Sequence, residues 1–245
     1  MKQNIYDDHA FFANYSKMPR SVGGLNSAEE WPAFRDLLPD LADKRVLDLG
    51  SGFGWHCRYA RQQRSRFVLG VDLSSQMLET AKSLTADSEI EYRQSAIEDF
   101  EFRDGDFDVV ISSLALHYVE HFDIVCRKIH RGLASGGTFV FSVEHPVFTS
   151  RAEQDWYLGH DGERLHWPVD NYSDEGIRHT RWMADDVVKY HRTVATYVNT
   201  LIQSGFHTEK ILECGISKER LSQRPDLIDE RRRPMFLLVR ARKPI

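Results

Sequence analysis

The sequence lacks any apolar run of about 18 residues, the length at which a segment becomes a candidate membrane-spanning helix. Its first residues, Met1-Lys2-Gln3-Asn4, are polar, which predicts no signal peptide. These two absences lead us to expect a cytoplasmic protein with no membrane partner.

Cysteine is scarce, and basic residues are not in excess. Cys57, Cys126 and Cys214 lie far apart and form no C-x-x-C pair, so neither a disulfide framework nor a bound metal is expected. The formal net charge of −5 argues against nucleic acid as a partner. A length of 245 residues suits one α/β domain with an elaboration.

The most informative stretch runs from Val46 to Gly54. It reads as a short apolar strand, then an acid, then glycine at every second position, with a helix predicted from Trp55. Alternating glycines allow a sharp turn and a close approach of the backbone to a ligand, and the helix N-terminus offers free N–H groups. A second strand ends at Asp72, about 20 residues past the loop, where an acid can reach a ribose.

The spacing of the glycines distinguishes between nucleotide cofactors. A dinucleotide fingerprint is G-x-G-x-x-G with a pyrophosphate on the helix N-terminus. The pattern here is D-x-G-x-G-x-G, and Asp48 would repel a pyrophosphate but suit an ammonium group. A ligand with a ribose at one end and an amino acid at the other is S-adenosylmethionine.

With these motifs the chain resembles the class I S-adenosylmethionine-dependent methyltransferases from about Lys44 to Val143. Strands and helices also alternate from Lys44 onward, as in a parallel sheet. The resemblance implies a Rossmann-like, three-layer α/β/α sandwich. Its seven-stranded sheet would be mostly parallel, with an antiparallel last strand inserted between the fifth and sixth.

Three segments are expected around this core. Residues 1–43 form a helical lead-in, and 44–245 form the cofactor-binding domain. Residues 146–182 lack periodicity but are rich in aromatics, which favours a lid after the fifth strand over disorder. A helix is predicted from about Asp186 to Gln203.

The resemblance implies a set of cofactor-binding residues in five segments. Asp48 would bind the ammonium group or brace the loop, and Asp72 would accept hydrogen bonds from the ribose. The cofactor-binding residues are predicted to be Tyr15, Arg20, Asp48, Gly50, Ser51, Gly52, Gly54, Asp72, Leu73, Met77, Ala96, Ile97, Glu98, Ser112, Ser113, Leu114 and His117.

Three of these assignments have particular reasons. Ala96 stands where the family usually has an acid for the adenine amine, so the backbone near Ile97 or the Glu98 carboxylate would replace it. Arg20 would meet the cofactor carboxylate or lie at the surface. Met77 would pack on the adenine or in the core.

Histidines are the candidates for catalysis, because methyl transfer to a hydroxyl or amine releases a proton. His117 follows the fourth strand, His145 ends the fifth, and His191 lies on an apolar face of the predicted late helix. Each could instead be a structural residue.

The function expected is transfer of a methyl group to an oxygen or nitrogen atom of a small organic molecule. An RNA- or protein-directed methyltransferase and a non-catalytic cofactor-binding protein stay open as alternatives. A nicotinamide dehydrogenase is the more distant one.

Overall fold

The computed structural model describes residues 3–245. Its strands, numbered along the chain, are β1 (Arg45–Leu49), β2 (Phe67–Asp72), β3 (Ile90–Gln94), β4 (Phe107–Ser113), β5 (Leu133–Glu144), β6 (Tyr157–Leu158), β7 (Arg164–His166), β8 (Gly176–Trp182), β9 (Ala184–His191), β10 (His207–Cys214) and β11 (Phe236–Arg242). Its α-helices are α1 (His9–Tyr15), α2 (Pro19–Gly23), α3 (Trp31–Leu37), α4 (Trp55–Gln62), α5 (Ser75–Ser83), α6 (Phe122–Gly132), α7 (Pro146–Thr149), α8 (Val194–Gln203) and α9 (Lys218–Gln223).

Seven of these strands form one sheet in the order β10-β11-β5-β4-β1-β2-β3. Neighbours from β5 to β3 pair in parallel, whereas β11 runs antiparallel to both β5 and β10. This confirms the predicted mostly parallel sheet with an antiparallel last strand between the fifth and sixth.

Helices cover both faces of the sheet. Successive strand residues point to opposite sides, so the apolar strands have side chains to bury on each face. On β4, Val109 and Ile111 join the core beneath α3 and α4, while Val110 joins the core beneath α6 and α8. Helix α6 shows the matching pattern, with Phe122, Val125, Cys126 and Ile129 buried at helical spacing. The architecture is therefore the predicted three-layer sandwich.

The strand order places a crevice at the carboxyl end of the sheet. The chain proceeds from β1 outward through β2 and β3, then returns to β4 on the other side of β1. This reversal is the point at which open α/β sheets bind ligands. Glycine-rich residues 50–54 follow β1 here, and residues 114–118 follow β4.

The helix predicted over 186–203 is wrong in its first half. Residues Ala184–His191 form β9, which pairs antiparallel with β8, and α8 begins only at Val194 after the capping residue Thr193. Val187, Lys189 and His191 are buried at a period of two, which is strand spacing. The prediction had assigned this strand and the helix that follows it to one continuous helix.

The predicted lid segment consists of ordered structure. After the short α7, β6 and β7 form one hairpin and β8 and β9 a second. This insertion therefore extends to His191, nine residues beyond the expected end at 182. No helix within residues 3–245 has the length and apolar character needed to cross a membrane.

The N-terminal strap, residues 3–8, fastens the lead-in to two other parts of the molecule. The Asp7 carboxylate accepts hydrogen bonds from the backbone N–H groups of Ser75 and Gln76 at the start of α5, each at 3.2 Å. Gln3 exchanges hydrogen bonds with the backbone of β9, at Asp186 and Val188. The strap thus connects α5 to the lid.

Replacing Asp7 by alanine should release this strap. Burial would raise the pKa of Asp7, but hydrogen bonds from Ser74, Gln76 and Ser75 hold it below its ordinary value. The Asp7 carboxylate, which caps the first N–H groups of α5 beside the N-cap residue Ser74, is therefore ionised at neutral pH. Losing such a cap costs about 1–2 kcal/mol. Backbone amides of residues 3–8 should exchange roughly 5–30-fold faster in hydrogen-exchange measurements. The exposed Asp36→Ala is the control, and equal exchange in both variants would contradict the role of Asp7.

Candidate active site

A cavity of about 1230 Å³ opens at the carboxyl end of the sheet. The lead-in, the glycine-rich loop, the segments after β2, β3 and β4, and the lid all contribute to its walls. Of the predicted site residues, those lining it are Tyr15, Arg20, Gly50, Ser51, Gly52, Asp72, Leu73, Met77, Ala96, Ile97, Glu98, Ser113, Leu114 and His117. The predicted residues outside its lining are Asp48, Gly54, Ser112, His145 and His191.

The three glycines of the loop differ in what surrounds them. A side chain at Gly50 would collide with Ala115, and one at Gly54 would collide with Tyr92. A Cβ at Gly52 would meet nothing within 4 Å. Gly50 and Gly54 therefore allow the chain to pack on itself, and Gly52 is where a ligand has room to approach the backbone. All three have positive φ, which favours glycine.

Asp72 is joined to this loop. Its Oδ2 accepts the Gly52 N–H at 2.8 Å, and its Oδ1 accepts the Ser74 N–H at 2.9 Å. Burial raises its pKa, against the opposing effect of these hydrogen bonds. Each carboxylate oxygen has a second lone pair, so Asp72 can accept two further hydrogen bonds from neighbouring hydroxyls of a ligand.

Asp48 lies at the end of β1 and is only 1% exposed. Its Oδ2 is 3.3 Å from the Cys57 thiol, and its Oδ1 has no hydrogen-bond partner among the described residues. Burial raises its pKa to about 7, opposed by the Cys57 hydrogen bond and reinforced by the charge of Asp72. A buried, unsatisfied carboxylate oxygen costs free energy, which a cationic ligand group would offset.

The segments after β2 and β3 line the cavity as a group. Leu73 and Met77 follow β2, whereas Ala96, Ile97 and Glu98 follow β3. Met77 is 2% exposed and belongs to the buried face of α5, so it packs in the core, and its contact with the adenine stays a prediction. Asp99 lines the cavity too, three residues past the position where the family's acid is missing.

Two predicted residues near β4 and in the lead-in already have partners. Ser112 is buried and donates to the Leu49 carbonyl at 2.8 Å, so it joins β4 to β1 behind the cavity. Arg20 lines the cavity while pairing with Glu30.

Leu114, directly after β4, has a φ of 53°, and its N–H donates to the Ser142 carbonyl at 2.9 Å. Such strained backbone tends to occur at functional sites.

Of the three candidate histidines, only His117 faces the cavity. Its Nδ1 accepts the Glu144 N–H at 3.4 Å, and burial lowers its pKa to about 4. The ring is therefore neutral near pH 7. With Nδ1 accepting, the ring proton is assigned to Nε2, so His117 offers a hydrogen-bond donor.

His145 and His191 lie behind the cavity wall, each with both ring nitrogens engaged. His145 caps α7 by accepting the Val147 N–H at 3.1 Å, and its Nε2 is 2.8 Å from Glu213. His191 is 2.8 Å from the Thr149 hydroxyl and donates to the Tyr172 carbonyl at 3.0 Å. Burial lowers the pKa of both rings.

Several cavity residues escaped the sequence analysis. Tyr6 meets Tyr118 edge-on, with their hydroxyl oxygens 3.3 Å apart. Trp182 from the lid packs edge-on against Tyr15. Aromatic density in the lead-in and lid was a visible signal for both, but only the folded chain shows that they meet.

These features fit S-adenosylmethionine. The open space at Gly52 would admit the amino-acid portion, the buried Asp48 carboxyl outside the lining would attract its ammonium group, and Asp72 would accept hydrogen bonds from the ribose. A model of the methyltransferase domain family matches residues 47–141.

Solved structures and a curated relative are similar to this chain over most of its length. An S-adenosylmethionine-dependent methyltransferase from Mesorhizobium loti is 45% identical, with a TM-score of 0.85, over 90% of this chain and 100% of that one. A Listeria monocytogenes protein, provisionally assigned the same activity, is 48% identical with a TM-score of 0.86, over 91% and 100%. N-demethylindolmycin N-methyltransferase from Streptomyces griseus is 27% identical over 80% of this chain and 79% of its own.

The chain belongs to the S-adenosylmethionine-dependent methyltransferases. It is an enzyme of this family, and S-adenosylmethionine is its cofactor.

Replacing Asp48 by asparagine should stabilise the ligand-free protein at neutral and higher pH. Unfolded, this carboxyl ionises near its ordinary pKa of 3.8, whereas the folded chain retains the proton until about pH 7. Its ionisation therefore lowers the free energy of unfolding as pH rises between these values. We expect a gain on the order of 2–4 kcal/mol at pH 8 that vanishes near pH 4.

Urea unfolding at several pH values measures this gain, and the exposed Asp36→Asn is the control. Equal or lower stability of Asp48→Asn at pH 8 would show that the carboxylate is not a strained, buried charge.

Proposed function

We propose that the enzyme transfers the methyl group to an oxygen or nitrogen atom of a small organic molecule. The observation that carries this proposal is the lid. Its cavity-lining residues are mostly apolar or aromatic: Phe148, Gln154, Ile177, Trp182, Val188 and Tyr190. Pockets for small ligands have this character, with a few polar groups set into apolar walls.

The cavity is also larger than one ligand needs. Sites for drug-sized molecules measure about 300–1,000 Å³. At about 1230 Å³, this cavity has room for the cofactor and a modest acceptor together. A long nucleic acid or folded protein would instead need an open surface, and the net charge of −5 disfavours the first of these.

The roles of the site residues form part of the proposal. Asp48, Gly52 and Ser51 would hold the amino-acid portion of the cofactor, with Arg20 and Tyr15 at its carboxylate. Asp72 would bind the ribose. The adenine would lie among Leu73, Met77, Ala96, Ile97 and Glu98.

The cofactor supplies a methyl group activated by positive sulfur. The chain has to align an acceptor with it and exclude water, which can provide most of the rate. Ser113, Leu114 and His117 would form the wall beside the transferred group. His145 and His191 would act as positioning residues, because they fix α7 and β9 where the lid meets the sheet. A cytoplasmic location, compatible with the free thiols, belongs to this proposal.

Release of S-adenosylhomocysteine tests the proposal. Purified enzyme with S-adenosylmethionine receives separate small-molecule, RNA and protein fractions of a cell extract. We expect release with the small-molecule fraction alone. The control is enzyme and cofactor without any fraction. Release confined to the RNA or protein fraction would contradict the proposal, as would silence in all three with cofactor binding confirmed.

A further inference from the structure

The substrate half of the cavity carries negative charge. Among the described residues, the charged side chains that line the whole cavity are Arg20, Asp72, Glu98, Asp99, Glu120 and Glu144. The single cation, Arg20, is paired with Glu30 on the cofactor side. Beyond the cofactor side, the lining within residues 3–245 has two carboxylates, Glu120 and Glu144, and no lysine or arginine.

Glu144 ends β5 beside His117, and three hydrogen bonds orient its carboxylate. Lys189 Nζ lies 2.7 and 2.9 Å from its two oxygens, and Gln154 donates to Oε2 at 3.1 Å. The Lys189 side chain is 1% exposed, whereas that of Glu144 is 18% exposed. The ion pair therefore turns its negative member toward the cavity and hides its positive one.

The charge on Glu144 is maintained at neutral pH. Burial alone would raise its pKa, but the Lys189 ammonium and the hydrogen bonds from Lys189 and Gln154 hold the pKa below its ordinary value. The side chain is thus a fixed anionic acceptor of hydrogen bonds. A carboxylate or phosphate of a substrate would meet this anion, because the partner cation Lys189 is buried and does not line the cavity.

The neighbouring groups complete the recognition surface. His117 is 2% exposed, its Nδ1 is used by the Glu144 backbone, and its Nε2 has no partner among the described residues. Tyr6, Tyr118 and Trp182 line the same cavity. Aromatic faces with a carboxylate are a favourable environment for a positively charged nitrogen.

We propose that the acceptor is an amine, and that Glu144 binds its amino group as the specificity-determining residue. This inference rests on the proposed function. The lone pair of the free amine attacks the methyl carbon, the carbon–sulfur bond breaks, and its electron pair stays on sulfur. The positive charge moves from sulfur to nitrogen, and the product leaves as a methylammonium ion. The one proton that the overall reaction releases is the one that the protonated substrate amine gives to water before its lone pair can attack. Glu144 stabilises the positive charge that develops on the nitrogen, and no further reactant is needed.

Cation-exchange separation of the small-molecule extract tests the substrate class. The retained amines and the neutral and acidic flow-through are each offered with S-adenosylmethionine, and S-adenosylhomocysteine release is measured. Release with the retained fraction is expected. Release only with the flow-through would overturn the amine assignment while leaving the proposed function intact, and release with neither would overturn both.

Variants test Glu144 itself on the retained fraction. Glu144→Gln alone leaves Lys189 buried and unpaired, so the double variant Glu144→Gln/Lys189→Met is compared with it. We expect the double variant to need at least tenfold more of the fraction for half-maximal rate, with unchanged cofactor affinity. Glu101→Gln, on an exposed side chain, is the matched control. A double variant that binds the cofactor and reaches half-maximal rate at the same amount of the retained fraction as the wild type would overturn the role of Glu144.

Discussion

The hydrogen bond from the Gly52 N–H to the Asp72 carboxylate is the interaction on which the site depends. It joins the loop after β1 to the end of β2, and the Gly50 N–H bonds the Val71 carbonyl beside it at 2.8 Å. Together these bonds turn the chain away from the sheet and into α4. The same geometry leaves open space at Gly52 and an unsatisfied oxygen on Asp48, so the cofactor site follows from how two parallel strands end.

The other half of the cavity is assembled from segments that are distant in sequence. The strap binds α5 through Asp7 and β9 through Gln3, so it joins the lead-in both to the helix that follows β2 and to the lid. The ion pair between Lys189 of β9 and Glu144 at the end of β5 attaches the lid to the sheet. Because buried ion pairs stabilise only modestly, this pair contributes most by fixing where the lid sits and which charge the cavity presents.

The glycine-rich loop and the elements on either side of it were predictable because their signals are local. Residues 46–72 contain a complete strand, turn, helix and strand, and each acid has a fixed place in that pattern. The lid was not predictable in the same way. Val187, Lys189 and His191 alternate as a strand, but a buried lysine breaks the apolar pattern, and its partner lies 45 residues away. Likewise, the exclusion of His145 from the cavity depends on contacts with Val147 and Glu213 that no spacing rule shows.

Calorimetric titration of S-adenosylmethionine into wild-type protein and Asp72→Ala tests the central claim most directly, namely that the crevice after β1 and β2 binds the cofactor through its acids. We predict saturable binding to the wild type and at least 100-fold weaker binding to Asp72→Ala, with the same cooperative thermal unfolding in both. Equal affinity in a folded Asp72→Ala protein would contradict the assignment of this crevice as the nucleoside site.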